Sequence, residues 1–301
     1  MGQGMGQGAV LCPREMYMDI AAARQTFLQY ASRYDLNDVK IRLKADHTLR
    51  VEELCRQIAQ SLGLSQEDTD LACLTGILHD IGRFEQVRIY HTFRDAVSVN
   101  HAQFSADLLF RDGLIDDFSD AGICEADRSL IEKAVRLHNA YILPEDLTDR
   151  ERMFCNILRD ADKIDILRVN RETPMTQIYD LPEEAFLDSE ISDGVYADLL
   201  AHRNVDRANS RTGVDFLMGH IAFVFGLVYP ESFRLVREQG YLAKMLSFES
   251  RNAATRERMR RIREEVETYL AEAASHGSAY AGRRGYNIPR EMCFLSGDDS
   301  I

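Results

Sequence analysis

Residues 71–82, LACLTGILHDIG, form a mostly apolar run that ends in two side chains able to bind a metal, His79 and Asp80. Burial of the apolar part is favourable, but burial of a carboxylate costs on the order of several kcal/mol unless a positive group pairs with it. A metal ion is a sufficient partner. The stretch therefore predicts a buried helix that ends at Gly82 beside a metal site, whose other ligands come from elsewhere in the chain.

The composition limits the classes of partner. The chain has 301 residues, of which 45% are hydrophobic, as is ordinary for a soluble globular protein. There are 36 Lys and Arg against 49 Asp and Glu, a net charge of −13. This charge repels phosphate backbones and anionic lipid, so we expect no nucleic-acid polymer as partner. Small ligands, metals and a homo-oligomer remain compatible with it.

Neither a membrane segment nor a signal peptide is predicted. The longest apolar stretch, residues 216–229, contains His220 and is shorter than the roughly 20 residues that a bilayer span requires. The first residues, MGQGMGQGAVLCPRE, lack the basic and apolar regions of a signal peptide. The six cysteines form no CxxC pair, which is typical of reduced cysteines. We therefore expect a cytoplasmic protein.

Apolar residues recur at spacings of three and four along most of the chain, and no convincing strand-period stretch is found, so the sequence predicts an all-α fold. Several polar residues share the apolar faces. His47 lies on one face with Val51 and Leu54, and His138 ends the apolar face of a helix predicted to begin at Asp127. Residues 83–100 carry no sustained period and are expected to wrap a cavity.

The chain divides into four predicted parts. Residues 1–14 are a flexible start, and residues 15–250 are the core, with a lid-like insertion near 170–193 that is rich in acids and contains two prolines. Residues 251–274 form a charged C-terminal helix, and residues 275–301 form a loosely ordered tail.

Six polar residues on buried faces or near helix ends stand out in chain order: His47, His79, Asp80, His101, His138 and Asp162. Their contexts are KADHTLRV, LTGILHDIGRF, VNHAQFSADLL, AVRLHNA and RDADKIDIL. The order H…HD…H…H…D resembles that of the HD-domain superfamily of metal-dependent phosphohydrolases. The resemblance covers roughly residues 44–168, and the ADK context selects Asp162 over Asp160 and Asp165.

The resemblance implies an HD-domain helical bundle, here with additional C-terminal helices. It also implies that His47, His79, Asp80 and Asp162 hold one metal, and that His101 and His138 complete a second site with Asp80 as the bridge. Imidazoles and carboxylates suit Fe, Mn, Zn, Ni or Co, so we expect one or two divalent transition metal ions.

The expected activity is hydrolysis of a small, nucleotide-like phosphate ester by attack of a metal-bound hydroxide on phosphorus. Asp80 would act in catalysis through the metals. Arg83 and Lys163 are the nearest cations able to hold phosphate oxygens, although ion pairing with Glu85 or Asp160 is an equal alternative for them.

Some residues keep two interpretations. Asp160 and Asp165 either orient ligand imidazoles or form salt bridges between helices. His91 is a weaker ligand candidate because it lies in an aperiodic stretch, and His220 is expected to be an ordinary core histidine.

Two other functions share this pattern. HD-fold diiron oxygenases have the same ligand order, and a non-catalytic, metal-stabilised ligand-binding domain would also keep the metal.

Within the hydrolases, the segment after His138 is Asn-Ala-Tyr-Ile-Leu-Pro, which departs from the His-His-Glu and Gly-Tyr-Pro pattern of the cyclic-dinucleotide branch. Only Glu85 could stand for the acidic pair of the alarmone-hydrolysing branch. Both substrates are therefore disfavoured.

Overall fold

A computed structural model describes residues 18–118, 122–179 and 181–276, and every regular element within these ranges is helical. The all-α prediction is confirmed. The helices are α1 (Ile20–Ala31), α2 (Val39–Ser61), α3 (Gln66–Leu78), α4 (Gly82–Tyr90), α5 (His101–Ala106), α6 (Glu125–Leu137), α7 (Asp149–Glu172), α8 (Met175–Tyr179), α9 (Glu184–Leu187), α10 (Asp193–Leu200), α11 (Gly213–Ile221), α12 (Pro230–Gln239), α13 (Tyr241–Leu246) and α14 (Ala253–His276).

Helix α7 lies at the centre of the molecule. It packs against α2, α3 and α6 on one side and against α11, α12 and α13 on the other. Its apolar residues extend around much of its circumference, which allows burial on both sides, and a Thr148–Glu151 capping box fixes its start. The charged helix α14 then covers α10, α12 and α13. Residues from α1 through α14 share one hydrophobic core.

Two glycines allow close approaches that build the site. A Cβ on Gly76 of α3 would lie 2.9 Å from the Cα of Glu52, so α2 and α3 can touch only because residue 76 has no side chain. A Cβ on Gly82 would lie 2.7 Å from the backbone nitrogen of Ser105, and the Gly82 N–H donates to the Ser105 hydroxyl at 3.0 Å. The start of α4 is thereby held against α5.

The predicted helix end at Gly82 is wrong. Helix α3 ends at Leu78, and His79 and Asp80 lie in the turn that leads to α4. Residues 82–90 are helical, although the sequence offered no period there. A helical period is missing there because only Phe84 and Val87 supply large apolar side chains to the buried face. The third buried side chain, Gln86, is polar, and its amide donates hydrogen bonds to Asp95, Ser98 and Val99.

Smaller differences concern helix starts and cysteines. Helix α6 begins at Glu125, so Asp127 lies in its first turn, where it accepts a hydrogen bond from Arg150 instead of capping the helix. Cys55, Cys73 and Cys155 are buried free thiols. Cys124 is disulfide-bonded, so the prediction of six reduced cysteines is wrong at this position.

The predicted flexible start, residues 1–14, lies outside the described residues, as does the predicted tail beyond residue 276. The charged C-terminal helix was expected over residues 251–274 and is found at Ala253–His276. Within the described ranges, none of the helices combines the length and apolar character needed to cross a membrane.

Candidate metal centre

Three helix ends and the interiors of α2 and α7 bring the six predicted ligands together. His79 and Asp80 follow the last residue of α3, His138 follows the last residue of α6, and His101 begins α5. His47 comes from α2 and Asp162 from α7, which pack against each other. The four histidines and Asp80 are all at least nine-tenths buried. Side chains that are distant in sequence therefore form one buried polar cluster.

A first group of ligand atoms surrounds the space between α2, α3 and α7. His47 Nε2 lies 3.1 Å from Asp162 Oδ1 and 3.3 Å from His79 Nε2. His79 Nε2 lies 3.4 Å from Asp80 Oδ2. Ligands that bind one ion at about 2.0–2.2 Å are themselves about 3 Å apart, so this group fits a divalent metal.

A second group lies on the other side of Asp80. His101 Nε2 and His138 Nε2 are 3.0 Å apart, and each lies 3.7 Å from Asp80 Oδ1. This carboxylate oxygen is buried and has no hydrogen-bond partner among the described residues. Since a buried anionic oxygen is costly unless something positive binds it, a cation at this position would satisfy it. The two oxygens of Asp80 thus face two different sets of imidazoles.

All four imidazoles have their Nδ1 atom engaged away from the centre. Nδ1 of His79 and His138 donates to the carbonyls of Gly76 and Val135, each at 2.7 Å. Nδ1 of His47 lies 2.7 Å from Asp165, and that of His101 lies 2.6 Å from Asp95. A proton on Nδ1 leaves the lone pair of Nε2 free to face the cluster, as a metal ligand requires.

The protonation states also suit a metal. Burial, with His101 and His79 nearby, lowers the pKa of His138 to about 3, so this imidazole is neutral. Burial and Arg83 lower the pKa of His101 as well. Burial alone would raise the pKa of Asp80, but Lys44 and His79 outweigh it and hold that pKa well below its usual range. His101 and His138 are thus neutral imidazoles and Asp80 is an ionised carboxylate, which are the forms that bind divalent ions. At His47, burial and Lys44 lower the pKa, but the hydrogen bonds to Asp162 and Asp165 outweigh them and raise it.

Asp165 and Asp160 have different roles. Asp165 contacts His47 through one oxygen and pairs with Arg50 through the other at 2.6 Å, so it both orients an imidazole and forms an ion pair. Asp160 points to the opposite side of α7. It accepts hydrogen bonds from the N–H groups of Val228 and Tyr229 and from the Ser232 hydroxyl, at 2.7–3.1 Å. Asp160 therefore fixes the residues that lead into α12 to the side of α7, a role that neither interpretation of the sequence included.

A cavity of about 560 Å³ opens onto the cluster. Asp80, His101, His138 and Asp162 form part of its wall, together with basic side chains at several points. The basic residues are Lys44, Arg83, Arg159, Lys163 and Arg207. A small anionic ligand could thus reach the centre through a positively charged space, despite the negative net charge of the chain.

The two predicted phosphate-binding residues lie on this cavity. Lys163 donates to the carbonyl of Gly226 at 2.8 Å, and burial, reinforced by Arg159, lowers its pKa to about 7. Arg83 donates through Nη1 to Phe93 O and Asp95, while Glu85 instead pairs with Arg88. Ion pairing of Arg83 with Glu85 is therefore not what the structure shows. Phosphate binding by Arg83 and Lys163 stays a prediction.

The two other histidines considered from the sequence differ in position. His91 is exposed in a left-handed conformation at the end of α4, with φ of 56°. His220, expected in the core, lines the cavity. Residues 204–207 also line it, whereas residues 170–175 of the predicted lid border a separate groove. The lid function of residues 170–193 stays a prediction.

Lys44 was not recognised from the sequence as part of the site. It lies three residues before His47 on α2, a spacing that places two side chains on the same helix face. Asp95 lies in the segment 83–100, which was expected only to wrap a cavity, yet it contacts His101 directly. It lies in a short 3-10 turn whose sequence has no apolar period.

One comparison with known proteins gives a match: the family model of the HD domain matches residues 45–169, a segment that contains all six predicted ligands. No curated protein and no solved structure gives a match to this chain.

Proposed function

We propose that this chain, which carries an HD domain over residues 45–169, is a metal-dependent phosphohydrolase acting on a small phosphate ester. The observation that carries the proposal is the position of Asp80. One of its oxygens faces His47 and His79, and the other faces His101 and His138. A carboxylate shared between two imidazole groups is suited to hold two ions close together.

Divalent ions bound there would supply a Lewis acid and a water of lowered pKa, which together promote attack on a phosphate ester. The chain itself positions the substrate. Arg83 and Lys163 bind the non-bridging phosphoryl oxygens by charge-assisted hydrogen bonds. The cavity volume of about 560 Å³ suits a small molecule and favours a compact, nucleotide-sized ester over a polymer.

The test begins with the metal content of the purified protein, measured by plasma mass spectrometry. The metal-stripped protein is then supplied with Mn, Co, Ni, Fe or Zn, and phosphate release is measured over a panel of phosphomonoesters and phosphodiesters. We expect at least one metal to give turnover, which Asp80→Asn abolishes. His91→Asn is the matched control: His91 is an exposed histidine with left-handed backbone, and asparagine adopts that conformation readily. Absence of both bound metal and turnover would contradict the proposal.

The same preparation distinguishes the two alternative functions. An anaerobically purified protein with two iron ions and substrate-dependent oxygen consumption would indicate an oxygenase. Turnover with Zn or Mg, which undergo no redox change, would exclude one. A protein that binds metal without any turnover, and that unfolds when Asp80 is changed to Ala, would be a metal-stabilised binding domain.

A further inference from the structure

Lys44 occupies an unusual position for a cation. Its ammonium group lies 2.6 Å from Asp80 Oδ2, and its side chain is only 14% exposed. Oδ2 is the oxygen that belongs to the His47 and His79 group of metal-ligating atoms. Lys44 therefore neutralises the same carboxylate oxygen that an ion in this group would bind.

A metal ion bound by this group would compete with the Lys44 ammonium group for that oxygen. Two cations at one carboxylate oxygen repel each other, and the repulsion is strong in a buried site where the effective dielectric constant is low. When an ion is bound to Asp80, the ammonium group loses most of its attraction to the carboxylate. A partly buried lysine then needs another anion.

The surroundings of Lys44 indicate that such an anion would bind in the cavity. Lys44 and Arg83 both line the cavity, and both lie over the ring of Phe93, with the charged groups 5.6 and 5.4 Å from the ring centroid. The Nε of Arg83 is buried, lies 3.6 Å from Asp80 Oδ1, and has no hydrogen-bond partner within the described part of the chain. Lys44 and Arg83 thus pack on the same ring, and each lies beside a different oxygen of Asp80. Both cationic residues line the same cavity.

We propose that Lys44 has two alternating partners: the Asp80 carboxylate in the metal-free protein, and the phosphoryl group of the substrate when metal is bound. The inference rests on the proposed function, because it assigns a phosphoryl ligand to the same site. It adds a phosphate-binding residue to Arg83 and Lys163, and it makes Lys44 an antagonist of metal binding.

The proposal predicts effects of opposite sign from one substitution. Lys44→Met removes the charge and keeps much of the side-chain length. Removal of the competing cation should raise the affinity for Mn²⁺ several-fold, measured by calorimetric titration of metal-stripped protein. Loss of a charge-assisted contact should weaken binding of inorganic phosphate to the Mn²⁺-loaded protein by about tenfold or more. Lys44→Arg should restore phosphate binding in part. Arg42→Met, at an exposed cation on the same helix, is the control.

The outcomes are distinguishable. Tighter Mn²⁺ binding with weaker phosphate binding supports the role of Lys44 even if no ester in the panel is hydrolysed, in which case the proposed function alone fails. Turnover of an ester combined with unchanged Mn²⁺ and phosphate binding in Lys44→Met overturns the role of Lys44 and leaves the function standing. A wild-type protein that binds neither probe overturns both. A parallel loss of both affinities indicates a structural lysine and also overturns the proposal.

Discussion

Asp165 Oδ2 lies 2.7 Å from Nδ1 of His47, on the side of the ring opposite the candidate metal centre. This contact leaves Nε2 of His47 facing the cluster, and Arg50 holds the carboxylate in place. Removing the acceptor frees the imidazole to rotate.

We expect Asp165→Ala to weaken metal binding by about 10- to 100-fold, the usual effect of losing a residue that orients a ligand. The measurement is the dissociation constant for Mn²⁺ by calorimetric titration. Asp46→Asn, at an exposed carboxylate on α2, should leave that constant unchanged. An unaltered affinity in Asp165→Ala would show that His47 does not depend on this contact or does not bind the metal.

The shared position of Asp80 predicts a specific change in stoichiometry. Asp80→Asn should reduce binding at both groups, because each group uses one oxygen of this carboxylate. His101→Ala should affect only the second group, so it should retain more metal than Asp80→Asn. Metal per chain, measured by plasma mass spectrometry after reconstitution, checks the order. Equal losses in the two variants would argue against a bridging carboxylate.

Gly82 is expected to tolerate no side chain. Its Cβ would lie 2.7 Å from the nitrogen of Ser105 and 2.9 Å from the hydroxyl oxygen, so α4 and α5 would have to separate. We expect Gly82→Ala to lower the free energy of unfolding by about 1–3 kcal/mol, as overpacking usually does. It should also weaken metal binding, because His101 begins α5.

Gly219→Ala is the matched control for that substitution. Gly219 lies within α11, and a Cβ added there would meet no atom of a packed neighbour within 4 Å in the described part of the chain. Replacement by alanine there should be neutral or should stabilise by roughly 0.5–1 kcal/mol, since glycine is costly inside a helix. Denaturant unfolding measures both variants. Equal stability of the two would contradict the packing argument for Gly82.

The neighbouring acids Asp160 and Asp162 should separate stability from metal binding. Asp160→Ala leaves the N–H groups of Val228 and Tyr229 unsatisfied, at about 1–3 kcal/mol for each buried group, so unfolding should become markedly easier. Metal binding should persist, because Asp160 faces away from the cluster. Asp162→Ala should show the reverse, with lost metal and a smaller change in stability. Chemical denaturation and metal analysis of both variants give the comparison.

Much of the cluster could be predicted from the sequence because each ligand lies on an apolar helical face or beside a helix end. His47 and His138 follow the helical period of their neighbours, and the order of all six residues resembles a known pattern. The helix boundaries near the site were less predictable. Polar Gln86 is buried in α4 only because residues 95–99 meet its amide, and local periodicity carries no information about that contact.

Contacts between distant segments account for the rest. Asp160 binds the residues that precede a helix beginning much later in the chain, at Pro230, and no spacing rule connects the two positions. Lys44 shares a helix face with His47, but its partner Asp80 is known only once α2 and α3 are packed together. Residues 204–207 line the cavity through a connection whose sequence has no periodic pattern.

The backbone contacts of His79 and His138 determine which substitutions leave these two imidazoles with a hydrogen-bond acceptor. Each imidazole donates to a carbonyl three positions earlier, so the peptide group supplies the acceptor whatever side chain stands there. A substitution at position 135 therefore leaves the acceptor of His138 in place, whereas a substitution at position 95 or 165 removes the acceptor unless the new side chain carries one. Main-chain carbonyls thus orient two of the four imidazoles, and the side chains of Asp95 and Asp165 orient the other two.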